Sequence, residues 1–158
     1  MEKNNILKTS VFIDAANLEL SAKSKGWKVD YRKLYKWINT NYKIYYIGCF
    51  TARFETRDHD NFLVFLKKTG YKLVTKPLKH MLDSSHRHIR KANFDVEITV
   101  EAIKRLKSYD QIVLFSGDSD FNYLLKELKH QSKASVVISM KYHVSKELIE
   151  SADEYIDL

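Results

Sequence analysis

A chain of 158 residues that is 44% hydrophobic, with one proline and four glycines, is sized for a single domain and too apolar to remain disordered. Its one cysteine, Cys49, excludes an internal disulfide and a cysteine-built zinc site, and no run approaches the roughly 20 apolar residues needed to cross a bilayer. Twenty-seven Lys and Arg against 20 Asp and Glu leave a formal charge of +7, which favours a polyanionic partner without identifying it.

Met1 to Ser10 is polar and offers no apolar stretch suited to a signal peptide, so a cytoplasmic protein is expected. Thr9 to Asp14 is a short apolar strand that ends on a carboxylate. If the following turn is helical, Asp14 and Asn17 share a face, although Asn17 also suits a helix cap. Gly26 and Trp27 interrupt the pattern, Asp30 offers a new cap, and Leu34, Trp37 and Ile38 mark the buried stripe of a second helix. Tyr42 to Phe50 is the second strand, in which Cys49 is expected as a core thiol. It empties into Thr51 to Arg57, where Arg53 and Arg57 bracket Phe54. At the sheet edge that carries Asp14, such a loop could hold phosphates and offer a stacking face; a solvated loop with Phe54 tucked inward is the equal alternative.

Asp58 to Thr69 reads as a helix through Phe62, Phe65 and Leu66, closed by Gly70, and Tyr71 to Lys76 as a third strand. Lys76 to Lys91 is the longest irregular segment and the most basic, with Asp83 alone opposing its lysines, arginines and histidines. It is a plausible clamp for nucleic acid. His86 and His88 read as solvated or phosphate-facing rather than as metal ligands. Asn93 to Lys107 is the next helix, with Val96, Val100, Ile103 and Leu106 as its stripe. Asp95 stands in the first turn, where a carboxylate also suits the helix dipole. Glu101 lies about 120° round the helix from Asp95 and reads as part of an exposed ion-pair row with Glu97 and Arg105.

Ile112 to Phe115 is a fourth strand. It runs into Ser116-Gly117-Asp118-Ser119-Asp120 and then into Leu124, Leu125 and Leu128 at helical spacing. Asp118 or Ser119 also suits the cap of that helix. Ala134 to Met140 makes a fifth strand, Ser145 to Ser151 a short helix, and Tyr155 to Leu158 an edge strand or docked tail. This alternation predicts a doubly wound α/β sheet with right-handed crossovers. First and fourth strands are then neighbours, so Asp14 and Asp118 stand side by side at the carboxyl edge. Asp95 arrives there at the start of its helix, with Asp120 and Asn17 close behind. Two carboxylates 4 Å apart repel by about 4 kcal/mol at an effective dielectric of 20. Such a group therefore retains protons or holds a cation, and a hard ion such as Mg²⁺ or Mn²⁺ suits oxygen ligands.

Three segments, Val11 to Leu18, Lys91 to Glu97 and Ser116 to Phe121, resemble in order and spacing the NYN domain of the PIN-like nuclease superfamily, and within it the bacterial LabA-like branch. Leu148, Ala152-Asp153 and Ile156-Asp157-Leu158 extend the likeness, so one NYN/PIN-like domain is expected over 1–158. The resemblance implies a PIN-like (Rossmann-like) three-layer α/β/α sandwich with a mainly parallel central sheet, and a metal-dependent ribonuclease whose products carry a 5′-phosphate. It places the Mg²⁺ or Mn²⁺ ligands on Asp14, Asp95 and Asp118, with Asn17 and Asp120 assisting catalysis. Ser116, Arg53, Arg57, Arg90 and Lys91 are the candidate substrate contacts. The expected partner is RNA, most simply single-stranded, and a homodimer is one assembly the sequence admits. The chain departs from the family pattern at Ala92, often glycine, and at Glu101, often aspartate. Two rivals remain: a non-catalytic RNA-binding or protein-interaction module on the same fold, and a structure-specific DNA nuclease.

Overall fold

A computed structural model describes residues 7–82, 84–85 and 88–158, with the backbone alone at 80–81 and 88–91. The elements are β1 (Lys8–Asp14), α1 (Ala15–Ser24), α2 (Tyr31–Asn41), β2 (Lys43–Arg53), α3 (Arg57–Thr69), β3 (Lys72–Pro77), β4 (Lys79–Leu82), β5 (His88–Lys91), α4 (Asp95–Lys104), β6 (Gln111–Phe115), α5 (Asn122–His130), β7 (Ala134–Ser139), α6 (Lys146–Ser151) and β8 (Glu154–Asp157). Six strands form one sheet in the order β3-β2-β1-β6-β7-β8, and every neighbouring pair is parallel.

Alternation along each strand divides the core in two. Val11, Ile13, Val113 and Phe115 face a cluster completed by residues of α1, α2 and α3, among them Leu18, Ile38 and Leu66. Phe12, Ile112 and Leu114 face a second cluster completed from α4, α5 and α6 by Ile98, Leu125 and Leu148. The chain steps outward from β1 to β3, returns past β1 to β6, and steps outward again to β8. Crossovers of one hand therefore lay helices first on one face and then on the other. The result is the expected α/β/α sandwich, with β1 and β6 paired at its centre, Ile13 against Phe115. The closing segment is the edge strand β8. Cys49 is the buried core thiol that was expected, and burial pushes its pKa up to about 12. Among the described residues no helix is long and apolar enough to cross a membrane.

Gly70 ends α3 as the spacing predicts. Its N–H donates to the carbonyls of Leu66 and Lys67, and its φ of 123° is one that L side chains rarely adopt. Four expectations are corrected. The segment from Lys76 to Lys91 is not irregular: β4 and β5 pair as an antiparallel ribbon, Lys79 opposite Lys91. Its basic residues hid the strands because they lack the apolar alternation by which a strand is recognised. The second strand continues to Arg53, so that residue ends a strand rather than sitting in a loop. Finally, the α4 stripe is out of phase. Val96 and Val100 are 72% and 48% exposed, whereas Ile98 and Ala102 are fully buried. Apolar residues occupy two rows of this helix, and Phe94, packed 6.2 Å from the Phe50 ring, selects the row that continues through Ile98 and Ala102. The helix also stops at Lys104, with a separate 3₁₀ turn at Leu106–Ser108.

Candidate active site

β1 and β6 end together at the carboxyl edge, and hydrogen bonds aim their terminal side chains. Asp14, not Asn17, caps α1: its Oδ1 accepts the Asn17 N–H at 3.2 Å. Asn17 is thereby left free to reach across the sheet, where its Oδ1 accepts the Gly117 N–H at 3.0 Å. The Ser116 hydroxyl donates to Asp14 Oδ2 at 3.4 Å, and its oxygen accepts the Asp118 N–H at 3.3 Å. One serine thus links two acids that are 104 positions apart in the sequence. Asp118 caps the 3₁₀ turn Ser119–Phe121, accepting from the Asp120 N–H at 3.0 Å.

Asp95 begins α4 and is clasped by Asn93, whose Nδ2 donates to the carboxylate at 2.6 Å while its Oδ1 accepts the Asp95 N–H at 2.8 Å. Asp95, Asp118 and Asp120 each bring one carboxylate oxygen within 4.8 Å of the others. Asp95 and Asp118 are half-buried and Asp120 is exposed. Asp14, expected among the ligands, is not in this group, and Asp120 is; Asp14 lies near enough to feel the charges of Asp95 and Asp118, which add to the burial that pushes its pKa from 3.8 up to about 6, while the Asn17 N–H opposes the rise. All of these donors are carboxylate oxygens, the ligands a hard divalent cation prefers.

The raised pKa has a measurable sign. Asp14 binds its proton more tightly folded than unfolded, so its favourable contribution is complete below about pH 4 and lost as pH rises through about 6. In EDTA, Asp14→Asn, which keeps a cap acceptor, is therefore expected to stabilise the fold by about 2 kcal/mol at neutral pH and by little at acid pH. Urea titrations at the two pH values check this, and equal differences at both would reject it.

Arg53 lies three residues beyond Phe50, the partner of Asp14 in β2, so it ends its strand at the same carboxyl edge as the acids, with Arg57 opening α3 just after it. There the Arg53 guanidinium is 3.5 Å from Asp60, Phe54 meets the His59 ring edge-on with centroids 4.6 Å apart, and Arg57 is exposed. The Arg90 and Lys91 side chains, like that of His88, fall outside the described residues, as does His86. Of the expected ion-pair row, Glu101 bonds Arg105 and Lys104. Glu97 instead turns to Lys76 at 2.7 Å, tying the first turn of α4 to the end of β3. Sequence reasoning missed the backbone on which Gly117 rests: His143 and Val144, in the loop after β7, pack directly against it. A glycine next to a clustered acid is the only hint the sequence offers of this close approach.

The family model of the NYN domain matches residues 8–158. The low amplitude and bright protein LabA of Synechococcus elongatus is 31% identical over 153 residues, which span 94% of this chain and 82% of that protein. A crystal structure of a protein of unknown function from Vibrio parahaemolyticus superposes with a TM-score of 0.84 at 21% identity, covering 100% of this chain and 96% of the other, and supports the fold alone. By its sequence, the chain belongs to the NYN domain family of the PIN-like superfamily, on its LabA-like branch.

Proposed function

We propose that the protein is a divalent-metal-dependent ribonuclease that hydrolyses phosphodiester bonds in single-stranded RNA. The observation that carries this reading is the approach of Asp95, Asp118 and Asp120 to within 4.8 Å, with Asp14 nearby, at the carboxyl edge of a parallel sheet. Three carboxylates at that spacing repel one another by about 3 kcal/mol per pair at an effective dielectric of 20, so the pocket favours a cation over an empty state. Mg²⁺ or Mn²⁺ fits the all-oxygen donor set; when bound, it would offset charge on the phosphoryl oxygens and make an attacking water more acidic.

The chain's own residues supply position. Ser116 and Asn17 lock the ends of β1 and β6 together, so Asp14 and Asp118 keep their separation as substrate enters. Asp120, the most exposed of the three, is placed to orient water or a ligand from the solvent side. Arg53 and Arg57 provide positive charge at the same edge for the flanking phosphates.

Labelled single-stranded RNA and DNA, incubated with Mn²⁺, Mg²⁺ or EDTA, test the proposal. The expected result is RNA cut with either metal into 5′-phosphorylated products, and uncut in EDTA. Cleavage that persists in EDTA would defeat the metal mechanism. RNA bound but never cut would favour a binding module, and cutting confined to DNA would favour the nuclease of other specificity.

A further inference from the structure

Tyr142 is the most exposed large hydrophobic side chain among the described residues, at 84%. It holds a φ of 72°, a left-handed conformation that bulky L residues seldom adopt. Two ammonium groups lie over its ring, Lys25 Nζ at 5.9 Å and Lys141 Nζ at 5.5 Å from the ring centre. An aromatic ring presented to solvent with lysines close to it offers what single-stranded nucleic acids are held by, a ring on which a base can stack and charges for the neighbouring phosphates.

The loop that carries Tyr142 is anchored on every side. The Lys141 N–H donates to Asp157 Oδ1 at 2.6 Å, Ser24 Oγ lies 2.7 Å from His143 Nε2, and the Ser145 N–H donates to the Gly117 carbonyl at 3.0 Å. Gly117 immediately precedes Asp118. The platform is therefore continuous with the acidic pocket through one loop, and the end of α1 brings Lys25 to the same place. Two residues beyond Lys25, Trp27 is 55% exposed and lines a neighbouring groove with Lys23, Lys28 and Glu19.

We propose that Tyr142, with Lys25 and Lys141 close to it, is a base-stacking subsite for the nucleotides of a single-stranded RNA that lie beyond the bond to be cut. The subsite rests on the ribonuclease reading and adds a direction to it: the strand leaves the acidic pocket across the loop between β7 and α6, toward the end of α1. Arg53, at the end of β2, stands on the other side of β1.

Fluorescence anisotropy with a labelled oligouridylate of about 12 nucleotides, in EDTA to prevent cleavage, tests the subsite. Tyr142→Ala is expected to weaken binding about tenfold, whereas Tyr142→Phe, which keeps the ring, stays within about twofold. Tyr142→Gly should raise the melting temperature by relieving the positive φ and yet lose affinity as the alanine variant does, so lost affinity cannot be ascribed to lost folding. Lys25→Ala with Lys141→Ala should flatten the slope of log affinity against log salt by about 1.4, for two single-strand phosphates released. A wild-type protein that binds RNA while Tyr142→Ala binds it equally well overturns the subsite and leaves the ribonuclease reading intact. A wild-type protein that binds no RNA overturns both. Tight binding that depends on Tyr142, without cleavage under any metal, overturns the ribonuclease reading and keeps the subsite.

Discussion

Asp118→Asn is expected to slow RNA cleavage about a thousandfold, roughly 4 kcal/mol of lost transition-state stabilisation, while RNA is held as tightly as before or more tightly. The asymmetry follows from what the substitution keeps and what it removes. An asparagine oxygen still accepts the Asp120 N–H, so the 3₁₀ turn after β6 retains its cap and the fold should be preserved. What disappears is a half-buried negative charge in the middle of a set of three, the charge that makes the pocket attractive to a divalent cation. The same loss reduces repulsion toward phosphate. Single-turnover cleavage and anisotropy on one protein preparation separate the two effects. A variant that cuts at the wild-type rate would remove Asp118 from the chemistry, and one that neither cuts nor binds would indicate that the edge of the sheet had collapsed.

Gly117→Ala should be among the most damaging single substitutions outside the apolar core, with a loss of roughly 3–5 kcal/mol in folding stability. A Cβ at this position would stand 1.8 Å from the His143 carbonyl oxygen and 2.8 Å from Val144 Cα, both backbone atoms that cannot rotate aside. The peptide is also held on both sides, its N–H by Asn17 and its carbonyl by the Ser145 N–H. Relief would require moving the loop after β7 or pulling the end of β6 away from β1, and either shift displaces Asp118. Denaturant titration gives the stability change. A loss below about 1 kcal/mol would mean that the two segments part easily and that glycine is not needed for their approach.

The sheet was legible because its strands are short apolar runs interrupted by helical patterns, and doubly wound topology then leaves few neighbours for each strand. The pairing of β1 with β6, and with it the meeting of Asp14 and Asp118, follows from that rule. What the sequence withheld was phase and direction. Val96, Val100 and Ile103 repeat as convincingly as Ile98 and Ala102, and only the packing of Phe94 on Phe50 decides between the rows. Asn17 read first as a site residue, with a helix cap as the alternative; Asp14 took the cap, which released the amide for Gly117. Which oxygens come closest depends on the clasp of Asn93 and the bridge of Ser116, contacts that carry no periodicity. Tyr142 was invisible for a related reason, since nothing in residue preference assigns a left-handed backbone to tyrosine.

The pairing of β1 with β6 also shapes how the chain comes into being. Thr9 lies opposite Gln111, so closing this contact brings together ends separated by 102 positions, at an entropic cost of order 4 kcal/mol. On a ribosome the amino-terminal half can begin to associate early, but Asp118 and Asp120 are still unmade, and the loop that braces Gly117 is synthesised later still. A nascent chain therefore carries no assembled acid cluster until Asp118, Asp120 and the loop at His143 and Val144 have all emerged.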